Sequence, residues 1–436
     1  MSATRLKQWV GIFHHRLIQN LLALYGVHVA SYLLPLITVP FLARVLGPKS
    51  WGLLAMTQAF AGYLIIIIEY GFNLAATRAV ARDRDSKKAL SDLLAGIIGA
   101  KLLLTGIAVV PLLVVRRWVV PFQSEPLLLW MGFLWAACRA NGFLWYFQGL
   151  ERVRLVANLD IIFKITATVC IFIFIRSPAH GWLVLCLYGS GAACTMLGAL
   201  FIAYREPGIY LRLPGPRLVL KALRLGGTIF ISRAAISLYT IGNSFILGLF
   251  APVYIVGYYA GAEKIMRAFI GLLKPATQVF YPRLSHLVNT AFDKAVKVVR
   301  MGGVVVGSVG ILIGVAILLS APAVVQLILG PGYPQVVPVL QVMAFLVPLI
   351  FLNMLLGIHW MLPLGMDRQY TMIVIAAGLL NLSLAVILAP RFAQMGMAWA
   401  LVSTESFVLL SFYILLRLRR LDPFSRPVIA PGRVCG

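Results

Sequence analysis

The chain has 436 residues, of which 61% are hydrophobic and 12% charged, and its mean hydropathy of +0.94 lies far outside the range of soluble domains. A formal net charge of +25 brings nucleic acid to mind, but such binding needs a soluble basic face or an aromatic platform, and here most cations sit in short connections between apolar runs. Composition therefore specifies a polytopic membrane protein and excludes a nucleic-acid partner.

Apolar runs of about 20 residues or more recur along the whole length, each enough to cross a hydrocarbon core about 30 Å thick as an α-helix. Run length and missing alternation exclude a β-barrel. Reading the runs between charged or Pro/Gly breaks predicts about twelve spans, at roughly 18–43, 51–77, 89–115, 124–147, 154–175, 181–203, 224–250, 253–282, 295–321, 335–362, 370–389 and 395–416. The basic segment 1–17 precedes a long apolar run without a small-residue cleavage site, so a retained anchor is expected rather than a removed signal peptide.

The even-numbered connections are basic: Arg78, Arg82, Arg84, Lys87 and Lys88 follow the second span, Arg205, Arg212, Arg217, Lys221 and Arg224 the sixth, and Arg283, Lys294, Lys297 and Arg300 the eighth. Arg5, Lys7 and Arg16 mark one terminus and Arg417, Arg419 and Arg420 the other, while the odd-numbered connections carry few cations. The excess of Lys and Arg on the cytoplasmic side then predicts that both termini are cytoplasmic.

The longest polar connection, "YREPGIYLRLPGPRLVLKALRLG", divides the spans six and six. The expected fold is an all-α polytopic membrane protein with a basic cytoplasmic segment 1–17, a six-helix bundle over 18–204, a cytoplasmic loop 205–223, a second six-helix bundle over 224–418 and a cytoplasmic tail 419–436. Halves entering from the same side would be parallel repeats, an arrangement that places substrate between them. The short loops leave no room for an extramembrane catalytic domain, and there is no G-x-x-x-x-G-K phosphate loop, which speaks against an enzyme and against ATP hydrolysis. Cys138, Cys170, Cys186 and Cys194 lie in apolar runs and Cys435 in the tail, without metal or disulfide spacing.

Within the spans remain the cations Lys101, Arg139, Lys164, Arg233, Lys264, Arg267 and Lys274 and the acids Glu69, Asp160, Glu263 and Glu405. An Arg, Lys or Asp at a helix centre costs about 2.5–3.5 kcal/mol on insertion scales, so several together call for water, partners or a cavity. At 3.6 residues per turn, Tyr259, Glu263, Arg267, Gly271, Lys274 and Gln278 fall in an arc of about 120°, with Lys264 at its edge. Arg233, Ser237, Thr240 and Ser244 fall within about 60° by the same geometry. Gln58, Glu69 and Asn73 share a side of the second span, and Trp135, Arg139 and Tyr146 a side of the fourth.

Each charge also has a structural reading. Glu263 and Arg267, four apart, form either an internal ion pair or part of a functional stripe. Asp160 and Lys164 read as an interfacial pair. Lys101 and Glu405, alone on their helices, either line a cavity or pair between helices. Lys274 can snorkel along its stem, and Pro35, Pro40 and Pro275 mark kinks or packing bends.

A cavity richer in cations than acids, flanked by Tyr, Trp, Ser, Asn and Gln, suits an anionic ligand rich in hydroxyls, and phosphates joined to sugars fit that description. Proton or sodium coupling would use an acid, with Glu69, Glu263 and Glu405 as candidates. The blocks "SYLLPLITVPFLARVLGPKSWGLLA", "EYGFNLAATRAVAR", "LWYFQGLERVRL", "FISRAAISLYTIGNSFILGLF", "VGYYAGAEKIMRAFIGLLKPATQVFYPRLS" and "GPGY" resemble, in order, the Wzx-type O-antigen and polysaccharide repeat-unit flippases of the multidrug/oligosaccharidyl-lipid/polysaccharide exporter superfamily. The resemblance runs from about Leu22 into the twelfth span.

It implies two six-helix bundles around a cationic cavity in a bacterial inner membrane, opening alternately to its two sides, with a glycan linked to undecaprenyl diphosphate as cargo. The family's cavity charges correspond to Arg78, Arg139, Arg233, Glu263, Lys264, Arg267 and Lys274, with Glu69 in the second block; by periodicity Arg78 points away from Glu69 and Asn73. Lys101 joins the cavity cations on the residue reading, and Trp135, Tyr146, Gln58, Asn73, Tyr259 and Gln278 are the sugar-facing candidates. No catalytic residue, metal or cofactor is expected. The lipid bilayer, a polysaccharide polymerase and chain-length proteins are the implied partners.

Three other functions fit parts of the pattern. A multidrug or metabolite antiporter of the same superfamily would want an acidic cavity for cationic substrates. A polysaccharide polymerase or ligase generally uses a large periplasmic loop. A peptidoglycan precursor flippase shares the cavity chemistry but usually has more helices.

Overall fold

The computed structural model describes residues 3–271 and 274–425, with side chains from Leu34 onward except at Ser232, Ala235, Leu238, Tyr239, Lys274 to Phe280 and Pro282. Every regular element among these residues is helical. Among the described residues, eight helical segments are long and apolar enough to cross a membrane: Leu34–Arg82, Lys87–Trp118, Pro126–Gly149, Val153–Phe174, Pro178–Tyr204, Phe292–Ile328, Val336–Met361 and Asp367–Leu418.

Two of the helices are long enough for two crossings. The first, α1 (Ala3–Glu69), has 67 residues and a non-helical backbone at Gly47 (φ 69°). The last, Asp367–Leu418, has 52 residues with non-helical backbone at Ala393. In the latter the Asn381 amide donates to the Thr404 hydroxyl at 3.2 Å, whereas 23 residues of straight helix would hold them about 35 Å apart. The chain therefore folds back at Ala393, as the separate expected spans 370–389 and 395–416 require. The expected span near 224–250 is not among the eight; it carries Arg224 and Arg233 and is interrupted at Ile241–Gly242. The span near 253–282 crosses Leu272 and Leu273, which lie outside the described residues.

Contacts divide the chain into two units, residues 1–50 with 57–234 and residues 51–56 with 235–436. The first holds most of α1, α2 (Phe72–Arg82), α3 (Lys87–Trp118), α4 (Val120–Ser124), α5 (Pro126–Ala140), α6 (Leu144–Gly149), α7 (Val153–Phe174), α8 (Gly181–Tyr204) and the start of α9 (Pro216–Thr240). In it α5 and α7 both pack on α8, and α2 packs on α6, around a core that includes Phe72, Leu94, Ile97, Trp145, Tyr146 and Phe147.

The division falls inside α9 rather than in the polar connection 205–223, and the reason is close backbone packing. A Cβ at Gly226 would sit 2.5 Å from the Tyr70 carbonyl oxygen, and one at Gly96 would sit 2.8 Å from that of Leu218. The connection itself is tied to α3: the Ser91 hydroxyl accepts the Tyr210 N–H at 3.3 Å, and Arg212 pairs with Asp92.

The second unit holds the end of α9, α10 (Asn243–Phe250), α11 (Val253–Gly271), α12 (Lys274–Thr290), α13 (Phe292–Ile328), α14 (Val336–Met343), α15 (Leu346–Asn353), a wide π-helical segment Met354–Met361 and α16 (Asp367–Leu418). Helix α13 shows the inside-out logic of a lipid-solvated bundle. Its buried positions include Gly303, Gly310, Gly314 and Ala321, while Met301, Val304, Leu312 and Leu319 are exposed. Hydrocarbon tails are as apolar as leucine, so association relies on close van der Waals approach through small residues, and the large apolar side chains face lipid. Residues 421–425 then dock on this unit: Arg300 donates to the Pro423 carbonyl at 2.9 Å and the Trp360 indole to that of Leu421 at 2.8 Å.

Residues 51–56 join the second unit because Gly52 lies against Val253 and Gly257. A Cβ at Gly52 would overlap the Val253 carbonyl oxygen and stand 2.6 Å from the Gly257 nitrogen. Both obstacles are main chain and cannot swing aside. Gly52→Ala is expected to destabilise by about 1–3 kcal/mol, the range for overpacking, read as a lowered Tm in detergent, whereas Gly106→Ala, which faces open space, leaves Tm unchanged or slightly raised.

Candidate functional site

Helix breaks organise the charged groups. Helix α1 ends at Glu69, and the chain turns through Tyr70 (φ 48°) and Gly71 (φ 77°) before α2. A carboxylate at a helix C-terminus is disfavoured by the helix dipole; Arg233 on α9 compensates, its Nη1 donating to Glu69 Oε1 at 2.8 Å. Stacking of Tyr70 on Phe230, with centroids 4.6 Å apart, holds α9 against the break. The carboxylate is recessed, with 15% of its side chain exposed, against 43% for the arginine.

The second unit repeats the device. Helix α9 ends at Thr240, α10 begins at Asn243, and Arg267 of α11 donates to the Thr240 carbonyl between them. The same guanidinium donates to Glu263 Oε1 at 2.7 Å, and Ser244 donates to the other carboxylate oxygen at 3.2 Å. Glu263 and Arg267 thus form the internal ion pair that their spacing allowed. The arginine side chain is still 52% exposed, against 12% for the glutamate. Lys264 is half-buried beside both.

Other expected site residues lie elsewhere. Lys101 is 2% exposed, and its ammonium donates to the carbonyls of Ala140 at 2.7 Å and Gly142 at 3.2 Å. It pairs between helices instead of lining a cavity, because the break after α5 strips those carbonyls of helical partners. Asn141 reinforces the break by donating to Thr105 Oγ1 at 3.2 Å. The same break ends the expected shared face of Trp135, Arg139 and Tyr146: Tyr146 lies beyond it on α6, wholly buried, its hydroxyl 3.4 Å from Glu206. Tyr259 is also fully buried, its hydroxyl without a hydrogen-bond partner among the described residues.

Likewise Gln58, half-buried on α1, and Asn73, exposed on α2, are separated by the break at Tyr70–Gly71. Arg78 and Arg139 are exposed, and Trp135 is half-buried against Tyr188 with ring centroids 6.4 Å apart. Glu405 does not stand alone either: its carboxylate and its carbonyl both accept from the Asn353 amide of α15, at 2.8 and 3.0 Å. The side chains of Lys274 and Gln278 lie outside the described residues.

Groups that the sequence reading did not single out include Glu206, which receives Arg152 at 3.2 Å and has Lys87 at 3.8 Å, as well as Asn353. A polar residue inside an apolar run was the available signal for Asn353.

A family model described as polysaccharide biosynthesis protein matches residues 17–288, well over half of the chain. The chain belongs to this family. Among its relatives, one from Escherichia coli strain K12 named "Putative O-antigen transporter" is 32% identical over 390 residues, covering 89% of this chain and 94% of the relative. A relative from Shigella dysenteriae bearing the same name is 28% identical over 400 residues, covering 90% and 98%. Both names describe transporters rather than enzymes, in line with the block resemblance.

Among solved structures, the lipid II flippase MurJ in an inward closed conformation superposes with a TM-score of 0.68 at 14% identity, over 92% of this chain and 87% of its own. An outward-facing multidrug resistance transporter of the MATE family gives 0.53 at 15%, over 93% and 95%. At such identities the likeness is one of fold.

The Lys101 geometry makes a direct prediction. Lys101→Met keeps the stem but leaves two buried carbonyls without a donor, at about 1–3 kcal/mol for an unsatisfied group. A Tm lowered by several degrees in detergent is the expected outcome, and an unchanged Tm would show that the ammonium is not holding the break.

Proposed function

We propose that the chain is a flippase that moves oligosaccharide repeat units linked to undecaprenyl diphosphate, of O-antigen or a related surface polysaccharide, from the cytoplasmic to the periplasmic leaflet of the bacterial inner membrane. The observation that carries the reading is the exposure of guanidinium groups in each unit, Arg233 in one and Arg267 in the other, above recessed carboxylates. A recessed acid orients the guanidinium while its remaining N–H donors stay available, and the planar fork matches phosphate oxygens. Transporter-named relatives at up to 32% identity support the same class.

In this reading about twelve spans cross the membrane with both termini in the cytoplasm, and the cargo site opens alternately to the two sides. The diphosphate meets the exposed cations while the polyprenyl tail stays in lipid. An inside-negative potential favours outward movement of the anion by about 2.3 kcal/mol per charge per 100 mV. Glu69, Glu263 or Glu405 takes the proton or sodium that accompanies return of the empty carrier. A polymerase and chain-length proteins then receive the unit outside. A multidrug transporter for cations is disfavoured, since the acids at Glu69 and Glu263 are recessed and capped by arginine.

The test is flipping of a lipid-linked repeat unit in proteoliposomes. Loss of a charge-assisted hydrogen bond worth about 1.5–3 kcal/mol should slow Arg233→Ala and Arg267→Ala about tenfold or more, with Arg233→Lys and Arg267→Lys recovering part of the rate. Wild-type rates in both alanine variants, at normal reconstitution yield, would remove the cationic mechanism.

A further inference from the structure

The connection between α8 and α9 carries large apolar side chains that the described residues leave uncovered. Leu211 is 77% and Leu213 86% exposed, the latter more than any other large apolar residue described. The main chain beneath them is held in place. Ile209 is buried in the core, Tyr210 donates its N–H to Ser91, and Arg212 pairs with Asp92 of α3. Further along, a Cβ on Gly99 would stand 2.4 Å from Pro214, and one on Gly96 2.8 Å from the Leu218 carbonyl oxygen. The two leucines are thus presented outward by a strap that is fixed to α3 on both sides of them.

The strap crosses α3 at a membrane boundary. Arg116 and Arg117 mark the far end of that span, and Gly99 and Gly96 lie about 26 and 30 Å along the helix from Arg116, close to one hydrocarbon thickness. Helix α9 continues the same surface. Arg217, Leu220, Lys221, Arg224 and Leu225 are exposed and fall within an arc of about 140°, while Ala222 and Gly226 are buried on the other side. Among the described residues no carboxylate pairs with Arg217, Lys221 or Arg224. Cations interleaved with leucines in this way suit a surface that lies among lipid headgroups, its apolar groups directed at the acyl chains and its charges at the phosphates.

We propose that Leu211, Leu213 and the basic face of Arg217, Lys221 and Arg224 form an interfacial anchor that binds anionic phospholipid. The leucines enter the edge of the acyl region and the cations meet lipid phosphates. These cations are spread over about 10 Å of helix and separated by leucines, which suits several headgroups of a leaflet rather than one diphosphate. Anionic lipid is favoured over zwitterionic lipid because each Lys or Arg near the surface adds attraction to a negatively charged leaflet. The anchor holds the strap from which α9 starts, and with it the depth of the first unit in the bilayer. This inference goes beyond the flippase reading and does not depend on it.

The experiment places the full chain in nanodiscs of phosphatidylcholine and phosphatidylglycerol at equal mole fraction, one or the other lipid carrying brominated acyl chains. The emission of Leu213→Trp, taken as the difference from wild type, reports on the strap. The expected result is quenching at least about twofold stronger by brominated phosphatidylglycerol than by brominated phosphatidylcholine, a preference that added salt weakens and that Arg217→Gln with Lys221→Gln removes. Quenching by aqueous iodide in place of the brominated chains would put the strap in water and overturn the anchor. Equal quenching by the two lipids, or a preference that survives the double substitution, would overturn it as well. Shielding from iodide and from both lipids would assign the face to a second copy of the chain, and loss of the preference on adding inorganic pyrophosphate at constant ionic strength would assign the cations to a diphosphate; each of these also overturns the proposal.

Discussion

Main-chain carbonyls at helix breaks inside an apolar medium are the constraint on which the charged architecture depends. A carbonyl without a donor in hydrocarbon costs several kcal/mol, so irregular backbone survives at membrane depth only where side chains satisfy it. Lys101 does this for Ala140 and Gly142, and Arg267 for Thr240. Cations that look like faults in spanning helices are in these cases what makes the broken helices tenable.

The same breaks position the acids. Glu69 ends α1, and Glu263 lies one turn before Arg267, so each carboxylate is neutralised by a guanidinium while lying deeper than its partner. The result in each unit is an outward cation on a recessed counter-charge. Such a surface suits an anion that must be held and then released, since the carboxylate offsets part of the attraction. These pairs are structural, and in the proposed function they would serve the anion as well, with Glu263 orienting Arg267.

Packing follows from the solvent. With lipid outside, the large apolar side chains of α13 face outward and its glycines inward, where Gly310 approaches the main chain of Pro348 and Gly314 the carbonyl of Ala344. Buried polar bonds such as Asn381 to Thr404 and Asn353 to Glu405 fasten helices in the second unit. A chain built this way tolerates exchange among its large lipid-facing residues and resists any added atom at its glycines.

Several levels were legible in the sequence alone. Apolar run length determined the membrane class and most helix positions, and ordered blocks such as "EYGFNLAATRAVAR" determined the family. Intrahelical geometry was also readable: Glu263 and Arg267, and Asp160 and Lys164, pair as their four-residue spacing allows. What the sequence could not decide is which polar residues share a face across a break, because a period of 3.6 residues carries direction only while the helix is continuous. Turns at Tyr70–Gly71 and after Ala140 reset that direction, which buried Tyr146 and separated Asn73 from Gln58. Tertiary structure alone also decided the partners of Lys101, Arg233 and Glu405, since those bonds join residues 39, 164 and 52 positions apart, and charge complementarity over such distances depends on how the helices pack.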